Sequence, residues 1–292
     1  MSTRAEEGMR AGFRLQLGMF GDQVVDAASV NRLSTMKTRR VRDDDIYLCT
    51  YPKSGAHWTW EIVNMIVAGE AKYAKHWLRG SHLDRLEEDF DNMPSPRVLL
   101  SHYRPSILPR QIWERKCPVI NVQRNPKDIA VSYFMNLTHQ DWMENTQVPS
   151  FTGSWDNFLD AFIKGNLLYD SVFDHMLTWN RFKEDYPDVP FLQIQFEDLK
   201  TNSVKEVKRL AEFLCRPLSD NVCEEIADAC KFPNLKQASV HKDPTHLNRW
   251  VEGSSGVFRT GETGGWKKWF TVAQSEKFDR MYEQKFHRSF PY

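Results

Sequence analysis

The residue types that could do chemistry gather first in one stretch, Thr50-Tyr51-Pro52-Lys53-Ser54-Gly55-Ala56-His57-Trp58. The apolar run "DIYLCT" (45–50) leads into it, and Trp58, Ile62, Met65 and Ile66 follow at helical spacing. In a strand, short loop and helix, successive backbone N–H groups face one concavity and favour an anion there. Ser54, Gly55, Ala56, His57 and Trp58 can all contribute N–H groups, Gly55 permits close backbone approach, and Lys53 adds a mobile positive charge. Lys-Ser-Gly is also a common surface turn, so the loop alone leaves both readings open. ATP or GTP hydrolysis is poorly supported. The loop that does it reads G-x-x-x-x-G-K-[ST], whereas Gly55 is followed here by Ala56 and His57. Metal chemistry has no better footing. His241 and His246 lack further ligands at zinc spacing. "EEDFD" (87–91) lacks the Gly and Glu of a calcium loop and reads as a solvated acidic turn.

The elements that must position such a loop show as an alternation. "DIYLCT" (45–50), "RVLLS" (97–101), "PVINVQ" (118–123) and "PFLQIQF" (190–196) lack clean polar alternation, which suits strands of a parallel sheet buried on both faces. Helical stretches separate them. Pro126 suits a first helical turn and is followed by Ile129, Tyr133 and Leu137 at helical spacing. One or two helices rich in Phe, Leu, Met and Trp are expected over 155–183. "SVKE" (Ser203, Glu206) and "TVAQ" (Thr271, Gln274) both carry the capping-box pattern. The fold class is therefore α/β with a central, mostly parallel sheet flanked by helices, and its ligands are expected beyond the carboxyl ends of the strands. Two connections, 138–154 and 241–265, are longer than simple turns and contain aromatic residues, as functional loops do.

Composition narrows the function classes. Of 292 residues, 41% are apolar and 27% charged, as in an ordinary globular protein. The 39 basic and 39 acidic side chains cancel, which argues against a nucleic-acid partner. No apolar stretch reaches the roughly 20 residues that span a bilayer, so no membrane partner is expected. The first dozen residues read as a loose tail without the apolar centre of a secretory signal, leaving 13–292 as one domain. Cys49, Cys117, Cys215, Cys223 and Cys230 are odd in number with no C-x-x-C pair, as in free thiols of a reducing compartment. The sequon Asn136-Leu137-Thr138 falls at the end of an expected helix and is taken as chance. The expected location is cytoplasmic.

Four stretches fit a known pattern together. "TYPKSGAHW" (50–58) resembles the 5′-phosphosulfate loop of the cytosolic sulfotransferases, TYPKSGTTW. "VQRNPKDIAVSYF" (122–134) resembles that family's 3′-phosphate segment, and "PSPRVLLSHYRPSILP" (94–109) its P-S-P-R-x-x-K-T-H-x-P stretch with the catalytic histidine. "FRTGETGGWKKWFTVAQSEKFDRMYEQKF" (258–286) resembles its R-K-G-x-x-G-D-W-K segment and the following helix. The match runs in order from about residue 44 to 286. It implies a single α/β domain and the donor 3′-phosphoadenosine 5′-phosphosulfate (PAPS, leaving as PAP). It implies no metal, and as acceptor a small, mostly apolar alcohol, phenol or amine.

The resemblance also implies roles. His102 becomes the general base, an imidazole titrating near neutrality that takes the acceptor's proton. Lys53 stabilises the leaving phosphate; Ser54, Gly55, Ala56 and His57 cradle the 5′-phosphate. Trp58 stacks on adenine, where the bare sequence would make it a core residue at a helix start. Arg124 and Ser132 match the 3′-phosphate ligands, a guanidinium fork with a hydroxyl. Arg259 and Gly261 match further donor contacts, and Phe196, Phe232, Phe258 and Thr260 stand at or beside other donor-contact positions. Trp77, Phe90, Trp142, Phe151, Trp155 and Trp250 are candidate walls of an acceptor pocket.

The departures cluster on the donor site. The family's two loop threonines are Ala56 and His57, its lysine before the histidine is Leu100, and its lysine after Arg259 is Thr260. The tyrosine of Y-E-D is Phe196, and T-S-F reads Cys230-Lys231-Phe232. At roughly 1.5–3 kcal/mol per charge-assisted hydrogen bond, two lost hydroxyls weaken donor binding by ~10²–10⁴-fold. Backbone N–H donors are untouched, so donor binding is expected to persist in weakened or retuned form. The alternative is a PAP- or PAPS-binding module with weak or lost transfer. The dimer segment is not recognisable in "LSDNVCEEIADAC" (218–230), so a monomer or weak homodimer is expected.

Overall fold

The computed structural model describes residues 2–75, 78–85, 90–140, 148–242 and 261–291. Two short strands, β1 (Leu17–Phe20) and β2 (Gln23–Asp26), form an antiparallel hairpin through a turn at Gly21. The sequence signal for this hairpin is weak, because each strand has only four residues. The four apolar runs become β3 (Ile46–Thr50), β4 (Val98–Ser101), β5 (Val119–Gln123) and β6 (Phe191–Gln195). These pair in parallel in the order β4-β3-β5-β6, with Leu48 beside both Leu100 and Ile120, and Ile120 beside Leu192. The parallel α/β sheet expected from the runs is therefore present. Residues of β3, β4 and β5 are buried throughout, whereas the edge strand β6 is mostly half-buried.

The chain divides into two compact units: Met36–Arg124 with Arg181–Pro244, and Met1–Thr35 with Asn125–Asn180 and Thr245–Tyr292. The first contains the parallel sheet. Period-2 alternation sends Ile46, Leu48, Val98, Leu100, Ile120, Val122 and Ile194 to one face. They pack there against Trp60, Ile62, Val63, Met65 and Ile66 of the helix Ala56–Ala68, and against helices Ser203–Phe213 and Asp220–Ala229. Trp60 seals this layer by donating its indole N–H to the Val98 carbonyl at 3.0 Å.

The other unit is built on aromatic packing. Phe134, Phe151, Trp155, Phe158 and Trp269 form one group, and Phe173, Phe278, Tyr282 and Phe290 extend it. Helices Trp155–Lys164 and Val172–Asp185 occupy the region expected to hold one or two. Pro126 opens the helix Pro126–His139 behind an Asn125 cap, as expected, and Thr271 with Gln274 forms its capping box.

Two expectations fail. The first twelve residues are not a loose tail: Arg4–Ala11 is a helix with a Thr3–Glu6 capping box, Ala5 and Gly8 buried, Arg4 paired with Asp170 and Asn166 donating to Glu7 at 2.7 Å. Its charges cap and pair, which a count of charged residues cannot reveal. Ser203 and Glu206 form no capping box either. Asn202 is the N-cap without a side-chain bond, and Glu206 turns inward to Arg209 at 2.9 Å. No helix among the described residues is long and apolar enough to cross a membrane.

Candidate active site

Each parallel strand delivers one part of a cluster just beyond its carboxyl end. β3 runs into the loop at Tyr51–Gly55, β4 stops before His102, β5 before Arg124 and β6 before Phe196. The register sets Cys49 beside Ser101, Thr50 beside Val122 and Gln123 beside Gln195, so these ends are level. This is the edge where parallel α/β sheets take ligands.

The loop turns tightly. The Ser54 N–H donates to the Tyr51 carbonyl at 3.2 Å, and Lys53 and Gly55 have φ of 69° and 103°. At the start of the next helix the Thr59 N–H donates to the Gly55 carbonyl at 3.0 Å, and Gly55 offers no capping side chain. The N–H groups of such a first turn have no partners within the helix. The Ser54 hydroxyl is buried without a hydrogen-bond partner among the described residues, as is the Trp58 indole N–H. A Cβ on Gly55 would come within 2.7 Å of the Phe196 ring, so only glycine fits. An orphaned hydroxyl, a helix start, a glycine turn and a lysine together suit a phosphate group.

Arg124 braces this loop. Its Nη1 donates to the Lys53 carbonyl at 2.9 Å, and its guanidinium lies 4.2 Å from the Phe196 ring centre. Trp58 meets the same ring edge-on at 5.4 Å. Phe196, which replaces the family's tyrosine, thus serves as the platform between the helix start and the arginine.

His102 is half-buried, and its Nδ1 lies 2.7 Å from the Thr50 carbonyl. A carbonyl only accepts, so Nδ1 carries the proton and the lone pair of the neutral ring sits on Nε2. The His102 backbone N–H donates to Asp84 Oδ2 at 2.9 Å, and the Ser101 hydroxyl donates to Asp84 Oδ1 at 2.6 Å. Burial, and then the neighbouring His82, push the His102 pKa down to about 4, with Lys53 adding to the fall. Asp84 and the Thr50 carbonyl oppose it without reversing it. At neutral pH His102 is therefore an uncharged imidazole, able to accept a proton at Nε2.

The remaining positions expected from sequence are distributed as follows. Ala56 and His57 open the helix Ala56–Ala68. Phe232 opens the helix Phe232–Lys242. Ser132, on the helix Pro126–His139, and Gly261, at φ 61°, belong to the other unit. Phe258, Arg259 and Thr260 lie outside the described residues, as do Trp77, Trp142 and Trp250. Phe151 and Trp155 pack into the aromatic core of their unit, and Phe90 is buried under the Arg39 guanidinium. Leu100 is 1% exposed and belongs to the apolar layer beneath the sheet. No motif in the sequence marks His82, Asp84 or Asp128 as site residues. The Asp128 carboxylate receives the N–H groups of Gly264 (2.6 Å) and Trp266 (3.0 Å), pinning the segment that follows Gly261. Its position in the first turn of a helix was visible, but its long-range partner was not.

A family model described as "Sulfotransferase domain" matches residues 43–290. The chain belongs to the sulfotransferase family. Sulfotransferase 1B1 of the dog (Canis lupus familiaris) is 36% identical over 262 residues, 84% of each chain. Human sulfotransferase 1C2 is 30% identical over 287 residues, 94% of each chain. Among solved structures, mouse sulfotransferase SULT7A1 complexed with PAP is 30% identical, with a TM-score of 0.76 over 94% of this chain and 95% of that one. A retinol dehydratase in complex with androsterone and PAP is 17% identical, with a TM-score of 0.81 over 100% of this chain and 97% of that one, a likeness of fold. Sulfotransferases are transferases, and the α/β fold with its parallel sheet is the one that the family likeness leads one to expect.

Proposed function

We propose that this sulfotransferase takes its sulfuryl group from PAPS and moves it to a hydroxyl or amine of a small, mostly apolar acceptor. The observation that carries this reading is the His102 tautomer, fixed by the 2.7 Å bond to the Thr50 carbonyl at the sheet edge that bears the phosphate-type loop. The relative bound to PAP supports the choice of donor. The Ser54 hydroxyl, the N–H groups from Gly55 to Trp58 and Lys53 would hold the 5′-phosphate end. Arg124 would serve the 3′-phosphate; the resemblance adds Ser132, Arg259 and Gly261 to that role, and gives Trp58, Phe196, Phe232, Phe258 and Thr260 to the rest of the donor. In the transfer, the acceptor oxygen or nitrogen forms a bond to sulfur while the bond from sulfur to the bridging phosphate oxygen breaks. The acceptor's proton passes to His102 Nε2, and the electron pair of the broken bond stays on the phosphate, where Lys53 opposes its charge. The reading includes no metal, a single domain to which the N-terminal helix Arg4–Ala11 belongs, a monomer or weak homodimer, and a cytoplasmic location.

A second reading, a PAP- or PAPS-binding module with weak or lost transfer, draws on Leu100, whose hydrocarbon lies in the core where the family pattern has a lysine. One pair of measurements separates the two. Calorimetric titration with PAP and with 5′-AMP tests the donor site, and a strong preference for PAP is expected. Sulfate transfer from labelled PAPS to simple phenols and alcohols, with His102→Ala as the comparison, tests the chemistry. PAP preference with no transfer to any acceptor leaves the binding module. Wild-type turnover by His102→Ala removes the base.

A further inference from the structure

The segment before the acidic turn runs alongside β4. His82 forms a parallel bridge with Leu100, and the Leu83 N–H donates to the Leu100 carbonyl at 2.7 Å. This pairing brings the His82 ring edge-to-face against His102, with centroids 4.7 Å apart and planes at 73°. His82 Nδ1 is 3.6 Å from Asp84 Oδ2, the oxygen that also receives the His102 backbone N–H. Nδ1 makes no hydrogen bond among the described residues, although the side chain is only 17% exposed. Asp84 is itself held, by the Ser101 hydroxyl. Two imidazoles and one carboxylate are thus packed beyond β4, and transfer through His102 uses only one of the rings.

Resting on the reading of His102 as base, we propose that His82 is a positioning residue, whose ring holds the His102 imidazole in line for proton abstraction and keeps a second charge away from it. The bond from Nδ1–H to the Thr50 carbonyl fixes one point of the ring and does not itself stop the ring rocking about that point. An aromatic neighbour at 4.7 Å removes that freedom. Misplacing a catalytic group by about 1 Å lowers turnover by roughly 10²-fold, so the brace has a large effect available to it. The groups that face His102 are the Thr50 carbonyl and Lys53 from the β3 side, and His82 and Asp84 from the segment beside β4. Burial also pushes His82 down to about 4, so the neighbour is neutral wherever the base works. Were both rings to take protons they would repel one another, which lowers the tendency of each to do so.

The test uses His82→Ala, which removes the ring, and His82→Phe, which keeps a ring without its nitrogens. The readouts are kcat and KM from pH 4 to 9, the NMR titration of the His102 ring, PAP affinity and thermal unfolding. His82→Ala is expected to lower kcat by roughly 10- to 100-fold, with PAP affinity within about threefold. His82→Phe is expected to lose several-fold less. It should also move the His102 titration and the acid limb of kcat/KM upward, toward the ordinary value near 6.5. An unchanged His102 titration in both variants overturns the proposal, and so does an equal loss of kcat in both that tracks a fall in thermal stability. The titration is read without turnover, so a failure of His102 as base remains distinguishable: His102→Ala would keep its activity while the variants at 82 still moved the titration.

Discussion

Replacing Gly55 with alanine tests whether the loop, the Phe196 platform and Arg124 act as one unit. Two effects combine. At φ 103° an L-residue is strained, by about 1–2 kcal/mol. The added Cβ would stand 2.7 Å and 3.2 Å from two carbons of the Phe196 ring, where carbon atoms rest near 3.5–4.0 Å, so the ring must retreat. That ring carries the Arg124 guanidinium at 4.2 Å, a contact worth about 0.5–2 kcal/mol. Arg124 in turn holds the Lys53 carbonyl. Together these come to roughly 1.5–4 kcal/mol, part falling on the fold and part on the ligand, so PAP affinity should drop by about 10- to 100-fold. The assay is calorimetric titration with PAP at fixed salt, beside thermal unfolding. Gly69→Ala is the control: Gly69 caps the other end of the same helix at φ 73°, with nothing within 4 Å of a Cβ. It should lose about 1 kcal/mol of stability and no affinity. PAP binding by Gly55→Ala at wild-type strength would refute the coupling, as would an equal loss of affinity in Gly69→Ala.

Arg97→Ala should destabilise the chain by about 3–5 kcal/mol in urea unfolding, because it strands the buried Asp45, whose Oδ1 accepts from Arg97 Nε at 2.7 Å. Deleting residues 1–12 should lower the unfolding temperature measurably by calorimetry, since it removes the helix Arg4–Ala11 and strips Asp170 of Arg4; an unchanged transition would return these residues to the status of a tail. Stability should also depend on acid. His82 and His102 are depressed to about 4 in the fold, against about 6.5 unfolded. Between those values the unfolded chain binds more protons, so stability falls as pH drops from 6.5 toward 4. Urea midpoints across that range should fall less steeply in His82→Phe than in the wild type.

The parallel sheet was legible because buried strands leave continuous apolar runs, and "DIYLCT" and "PVINVQ" mark β3 and β5 to within one residue. The strand–loop–helix turn at Lys53, Ser54 and Gly55 was legible because these residues are adjacent in the chain. Partners from distant segments were not. His82 meets His102 only because a segment twenty residues upstream pairs with Leu100, and no local spacing announces that bridge. Ser203 and Glu206 fit a local rule, but burial of Glu206 beside Arg209 overrode it. The N-terminal helix was obscured in the opposite way, because its charges are spent on caps and ion pairs that look like solvation in a linear sequence.

Leu100 shows why a departure from a motif has to be read through the packing beneath it. By strand alternation it faces the same layer as Val98, and the register sets it beside Leu48. With Trp60 sealing that layer from the helix side, an ammonium rooted at position 100 would have to climb out of apolar surroundings to reach the strand ends. Leucine instead fills the core and holds the Leu83 N–H through its carbonyl, so the position anchors the segment that carries His82 and Asp84. Position 100 therefore supplies no cation to the strand ends. Lys53 stays at the loop, Arg124 fixes the carbonyl of that same residue, and His102 is kept neutral by burial and by His82. In the proposed transfer, more of the charge developing on the leaving phosphate would then fall to Lys53 and to the backbone N–H groups at the helix start, which no side-chain substitution in the loop removes.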